Sequence, residues 1–279
     1  MRGVTAIHRA LASPPQREPA GDAAPALAIP FVAAPAIPST DDIRMGHDPM
    51  EDARLPHSTL RRKLRNAHIE SVMALVAAVE AKDPHTERHS VGVATYAEEL
   101  ARAAGLSAKD VESIVIAGLL HDVGKIAVPD AILAKPGALT ESEFNVIRLH
   151  PERGVAILRP IESLGRELPL VLHHHEWFNG RGYPRGLRGR EVPFGARILQ
   201  VADSIDAMLS PRSYKKARSV KETICELHRC RGTQFDPCLA DLAIGMLQDR
   251  RVNGVRHGSS TTGWPRSLTA AYWPVMTPA

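Results

Sequence analysis

The stretch IVIAGLLHDVGK, residues 114–125, decides how the rest of the chain is read. An unbroken apolar run, with Ser107 upstream as an N-cap, fits a buried helix reaching Leu120, and His121-Asp122 then stands at its end. An imidazole nitrogen and a carboxylate from adjacent residues can hold a cation, and the carboxylate can bridge two. Taken alone, the dipeptide reads as a surface aspartate with a chance neighbour.

Working outward, the surrounding pattern is helical throughout. Leu60, Leu64, Ala67, Leu75 and Val79 recur at helical spacing as far as Lys82. Asp83-Pro84 supplies an N-cap and a first-turn proline for a helix to about Ala104, and Gly105 fits its stop. Capping boxes open two more helices, at Thr140–Glu143 and at Ser219–Glu222. The first should end or kink at His150, because Pro151 disfavours the α conformation before it. Glu167–Glu176 and Gly195–Leu209 also fit helices, while Asn179–Gly189 is a glycine-rich loop. The expected class is all-α.

Composition sets the limits. Only 4% of residues are aromatic, which suits packed helices better than a β-sandwich. A net charge of +4 is compatible with an anionic ligand and too weak to imply nucleic acid. Residues 1–55, rich in Ala and Pro without periodicity, are expected to be a disordered leader, and 249–279 a polar tail. The early apolar run PALAIPFVAAPAIP (25–38) is broken by prolines and does not make a membrane helix. Cys225, Cys230 and Cys238 show no paired spacing; they are expected to be reduced thiols of the cytoplasm, buried in helices.

The chemistry concentrates in the middle. Seven of the 13 histidines lie between positions 85 and 175. His85 and His89, four apart, share a helix face. His150 precedes a proline, and the stretch HHHEWFNGRGYPRG (173–186) sets three histidines against an acid before a tight turn. Asp203 interrupts the otherwise apolar face of Val201, Ala202, Ile205 and Met208, where a buried carboxylate needs a cation or strong hydrogen bonds. Mixed His and Asp donors suit Fe, Mn or Zn, and there are too many for one ion.

These pieces, EAKDPHTERHS (80–90), AGLLHDVGKIAVPDAILAKPG (117–137), LHPERG (149–154), HHEWFNGRGYPRGLRG (174–189), VPFGARILQVADSIDAM (192–208), SPRSYKKA (210–217) and GTQFDP (232–237), resemble the HD-GYP family of HD phosphohydrolases. The resemblance covers roughly 60% of the chain, from Glu80 to about Leu247. It implies an HD-domain-type helical bundle with an extended GYP loop, as a catalytic domain over 83–248 preceded by a helix at 56–82. That helix could pack on the core or mediate a homodimer.

The implied activity is hydrolysis of cyclic di-GMP to linear pGpG and/or GMP, by hydroxide generated on two or three divalent ions, Fe or Mn. The metal ligands carried over are His89, His121, Asp122, His150, His174, His175 and Asp203, with Asp122 bridging. His85 either ligates a further ion or lines the pocket. Lys125, Arg212 and Lys215 are implied to bind phosphate oxygens, and Asp206 to support the metal shell. Gly182, Tyr183 and Pro184 are implied to shape the substrate pocket and to contact diguanylate cyclase (GGDEF) domains, within cytoplasmic signal transduction. The extra His173 is expected to be a plain helix residue.

One departure stands out: Phe178-Asn179 replaces the Trp-Asp that many members carry, exchanging a possible loop-anchoring carboxylate for an amide. The other readings are a phosphohydrolase for another cyclic dinucleotide or nucleotide, and a binding module without turnover. The complete set of core ligands argues against the last.

Overall fold

A run of capped helices follows from these local signals, and a computed structural model describes residues 71–252 apart from 73, 80, 81, 83–88, 136 and 211–216. The leader, most of the N-terminal helix, the tail from 253, and the site candidates His85, Arg212 and Lys215 lie outside the described residues. Nine α-helices are named among those described: α1 (His89–Ala103), α2 (Ala108–Leu120), α3 (Asp130–Leu133), α4 (Glu141–Arg148), α5 (His150–Leu158), α6 (Leu168–His173), α7 (Phe194–Leu209), α8 (Val220–Cys230) and α9 (Pro237–Val252). No strand forms among the described residues; there are two isolated bridges, Asn179 with Arg188 and Arg231 with Phe235.

The caps act where the sequence puts them. The Ser107 side chain accepts from Asp110 N–H, and Thr140 and Ser219 each complete a reciprocal box with the glutamate three residues on. Gly105 adopts φ 76° after α1, a left-handed stop that a Cβ would disfavour. The core forms where α1 packs on α2 and α7, around Leu100, Val115, Leu120, Ile198 and Ile205. Helical residues 71–72 and 74–79 bury Val72, Val76 and Val79 in the same core, so this end of the N-terminal stripe packs inward.

The helix breaks at His150 as expected, α4 ending at Arg148, but His150 itself opens α5, because Pro151 falls in that helix's first turn, where its missing N–H costs nothing. Two expectations need correction. Of the cysteines, only Cys230 is buried; Cys225 and Cys238 lie in helices but are exposed. The last helix continues past Gln248 to Val252.

Candidate metal centre

Two ligand candidates stand at helix C-caps and a third opens a helix. His121 follows α2 and His174 follows α6, each as the C-cap; His150 begins α5 just beyond α4. Helix ends leave carbonyls without an internal partner. Each of these histidines donates Nδ1–H to the carbonyl three residues before it: His121 to Gly118 at 2.7 Å, His150 to Ile147 at 2.8 Å, and His174 to Val171 at 2.7 Å. A carbonyl can only accept, so Nδ1 carries the hydrogen and the Nε2 lone pair turns inward. The local fold thereby sets the tautomer that a metal ligand requires.

His89 reaches the same orientation differently. Its Nδ1 meets the Asp206 carboxylate at 2.6 Å, and its Nε2 lies 3.3 Å from Asp203 Oδ1. Asp206 also accepts from Ser210 Oγ at 3.0 Å. Gly92, on α1, makes the contact possible, since a Cβ there would stand 2.0 Å from Asp206 Oδ1. Burial works to lower the His89 pKa, but the bonds to Asp203 and Asp206 override it and raise it to about 9.

The inward atoms form two groups, Asp122 with His150, His174 and His175, and His89 with His121 and Asp203; within each, the candidate ligand atoms lie within 4.8 Å of one another. Asp122 spans both, with Oδ1 3.4 Å from His150 Nε2 and Oδ2 3.3 Å from His121 Nε2. All seven residues are buried.

Does this donor set fit metal ions? The Nε2 atoms of His150 and His174 face each other at 3.3 Å. Both are acceptors in the tautomers fixed above, so neither can donate to the other. Burial lowers the pKa of His150 to about 4 and of His174 to about 3, and it drives His175 well below 6.5, so these rings are neutral near pH 7. Burial alone would raise the Asp122 pKa, yet Lys125 and His121 hold it well below the usual carboxylate range. Buried neutral imidazoles with converging lone pairs, beside the ionised Asp122, match the demands of divalent transition metals. The residues fit.

Lys125 lies on the metal group itself, its ammonium 2.6 Å from Asp122 Oδ2. Its turn, Val123–Ala127, packs against α5, and a Cβ on Gly124 would meet the His150 carbonyl at 1.9 Å. Lys82 Nζ donates to the carbonyls of Ile126 at 2.5 Å and Val128 at 2.9 Å, and Arg153 donates to Ala127 at 2.8 Å. The turn carrying Asp122 and Lys125 is therefore held from two further elements.

The GYP loop closes one side. The Tyr183 ring lies 4.8 Å from His175 and 6.4 Å from His150, centroid to centroid. Burial of its phenol pushes the pKa well above 10. Tyr183 N–H donates to the His175 carbonyl at 3.2 Å, and the Tyr183–Pro184 peptide is cis. Gly182 passes so close to the ligand pair that a Cβ would stand 2.2 Å from Trp177 N, which makes glycine obligatory.

Asn179 Oδ1 accepts from Arg181 N–H at 3.0 Å, so the amide still organises the turn. The acid that reaches across the loop is Glu176, to which the sequence assigned no role. It is fully buried and accepts the N–H groups of Arg185 at 2.6 Å and Leu187 at 3.1 Å. His173 lies outside both ligand groups, its Nδ1 3.7 Å from Glu176 Oε1.

Comparison with known proteins agrees with the fold. A family model described as HD domain matches residues 73–239. The chain is 39% identical over 188 residues to the cyclic di-GMP phosphodiesterase response regulator RpfG of Xanthomonas campestris, covering 66% of this chain and 50% of that protein. It is 42% identical over 162 residues to a cyclic di-GMP phosphodiesterase of Thermotoga maritima, covering 57% and 44%. It is 39% identical over 185 residues to the 3'3'-cGAMP-specific phosphodiesterase 2 of Vibrio cholerae, covering 65% and 35%. The chain thus spans half or less of these relatives' length. A crystal structure of a cyclic GMP-AMP-specific phosphodiesterase of Vibrio cholerae shares the fold, with a TM-score of 0.54, 15% identity, and 72% of this chain and 54% of that one covered.

Proposed function

The chain belongs to the HD domain family, and from that premise we propose that it is a metal-dependent phosphodiesterase hydrolysing cyclic di-GMP to linear pGpG and/or GMP. The observation that carries the reading is the facing pair of His150 and His174 acceptors, 3.3 Å apart, with Asp122 spanning the two ligand groups. On this reading His89, His121, Asp122, His150, His174, His175 and Asp203 hold the ions. Iron or manganese is the proposed identity because the family resemblance implies it; mixed imidazole and carboxylate donors by themselves suit Fe, Mn or Zn. When bound, such ions supply Lewis-acid stabilisation of the phosphate and lower the pKa of a water.

The chain's own residues do the rest. Asp122, kept ionised, serves both groups. Lys125 carries its positive charge beside Asp122, where a phosphate oxygen can share it. Tyr183 walls off the His150 and His175 side, with Gly182 and Pro184 shaping its turn. Arg212 and Lys215 are proposed as further phosphate contacts and His85 as a ligand or pocket residue, all on the strength of the sequence. The exposed Arg181, Arg185 and Arg188 give the loop a basic rim, which supports contact with an acidic face of a diguanylate cyclase domain. Homodimerisation and a cytoplasmic signalling role complete the proposal. Among the described residues, no helix is long and apolar enough to cross a membrane.

A second reading, hydrolysis of 3'3'-cGAMP, is favoured by the 39% identity to a relative named for that activity. One experiment separates them. The full chain, purified anaerobically and assayed for metal by mass spectrometry, is given both dinucleotides beside Asp122→Ala. Bound metal and cyclic di-GMP turnover, both lost in the variant, are expected. Preference for 3'3'-cGAMP would shift the substrate, and full metal occupancy with neither turned over would sink the phosphodiesterase reading.

A further inference from the structure

Glu176 sits next to the His174–His175 pair yet belongs to neither ligand group. It is 0% exposed, and an ionisable group so enclosed is costly to desolvate without hydrogen-bond partners. Its carboxylate accepts hydrogen bonds from backbone amides of the loop, with the His173 ring farther off, Nδ1 at 3.7 Å. The carboxylate takes the N–H groups of Arg185 and Leu187, which flank Gly186 just beyond Pro184. Its own carbonyl accepts Gln200 Nε2 at 2.5 Å, one turn before Asp203 on α7. Its Cα is packed against Gly182, where a Cβ would approach to 2.5 Å. Three parts of the site therefore meet at this residue: the helix bearing Asp203, the histidine pair, and the turn bearing Tyr183.

We propose that Glu176 is a positioning residue, whose carboxylate fixes the 182–187 turn so that Tyr183 is held against His175 and His150 as a preformed wall for the substrate. The substrate part of this rests on the function proposed above; the loop part does not. Without the carboxylate, the turn keeps the Tyr183 to His175 backbone bond but loses both anchors beyond Pro184. The loop then samples open positions, and the cost falls on substrate binding, with the metal ligands left in place.

The test compares the full-length wild-type chain with Glu176→Gln and Glu176→Asp. Gln keeps the size but turns one accepting oxygen into a donor; Asp keeps both oxygens one methylene short. Limited trypsin digestion reads the loop directly, because Arg181, Arg185 and Arg188 are exposed and each precedes a glycine. Loss of a charge-assisted bond should speed cleavage at these bonds by about tenfold in the Gln variant and less in the Asp variant, with other tryptic sites unchanged. Metal content should match wild type, and KM for cyclic di-GMP should rise about tenfold with kcat within about threefold.

Unchanged loop cleavage, cleavage accelerated equally at all sites, or parallel loss of metal would each overturn the proposal. If the Gln variant does not fold, the Asp variant carries the same readout. A wild-type chain inert toward cyclic di-GMP would sink the proposed function, and the cleavage ratio would still decide the role of Glu176.

Discussion

The ligand imidazoles differ in what aims them. His150 and His174 of the first group, and His121 of the second, are oriented by main-chain carbonyls near the ends of α4, α6 and α2. His89 is oriented by a side chain, Asp206, which fits only because residue 92 is glycine. The first arrangement comes with the helices themselves: once they form and dock, the lone pairs converge. The second is an addition to a finished helix pair, and a single substitution can remove it. Damage to the first arrangement should thus register as damage to the fold, and damage to the second as damage to the site alone.

The sharpest way to break that contrast is a pair of glycine substitutions. Gly124→Ala pushes a methyl into backbone, 1.9 Å from the His150 carbonyl and 2.5 Å from Gly154 N. Backbone in a packed helix cannot swing aside, so the expected cost is about 3 kcal/mol or more. The melting temperature should then drop by roughly 6–12 °C, read by circular dichroism. If Gly124→Ala melts like wild type and loses only metal, the fold-based account of the first arrangement is wrong.

Next in size is the other arrangement. Gly92→Ala meets the end of the Asp206 side chain, which can rotate away, and Asp206→Asn removes the charge from the same contact. Both should weaken metal binding by about 10–100-fold, as loss of an outer hydrogen-bond partner does. Melting of the metal-free protein should fall by only about 2–4 °C, because weakening the buried His89–Asp206 bond costs about 1 kcal/mol while the backbone stays in place. Competitive titration with a chelator measures the first quantity and calorimetry the second. A large loss of stability in Asp206→Asn would erase the distinction between the two arrangements.

The same contrast explains what the sequence disclosed. The capping boxes are local patterns of residue type, and the seven candidate ligands stand in the motifs that resemble the HD-GYP family, so the order of residues along the chain is enough to nominate them. The aiming of the rings is not legible that way: its acceptors are carbonyls of Gly118, Ile147 and Val171, and a carbonyl leaves no trace in residue identity. Glu176 escapes for the same reason, since its partners are the N–H groups of Arg185 and Leu187. The sequence pointed to position 179 as the place where a loop-anchoring acid was lacking, whereas the acid that anchors the turn lies three residues earlier. The place of His150 is ambiguous because a proline is equally consistent with a helix ending before it and with one beginning around it; only the docking of α5 on the Asp122 turn decides.

The smallest effect tests whether backbone aiming is insulated from events elsewhere in a helix. α4 begins at the Thr140 capping box and, near its other end, offers the Ile147 carbonyl to His150. Thr140→Ala removes the cap and should cost about 1 kcal/mol, lowering the melting temperature by roughly 2–4 °C. Fraying there is confined to the first turn, while Ile147 is buried in a separate apolar cluster with Val128 and Leu133. Metal affinity should therefore be unchanged, although the helix that aims the ligand has been weakened. A drop in affinity alongside the drop in stability would mean that α4 frays as a unit, and that the carbonyl aiming His150 is no firmer than the carboxylate aiming His89.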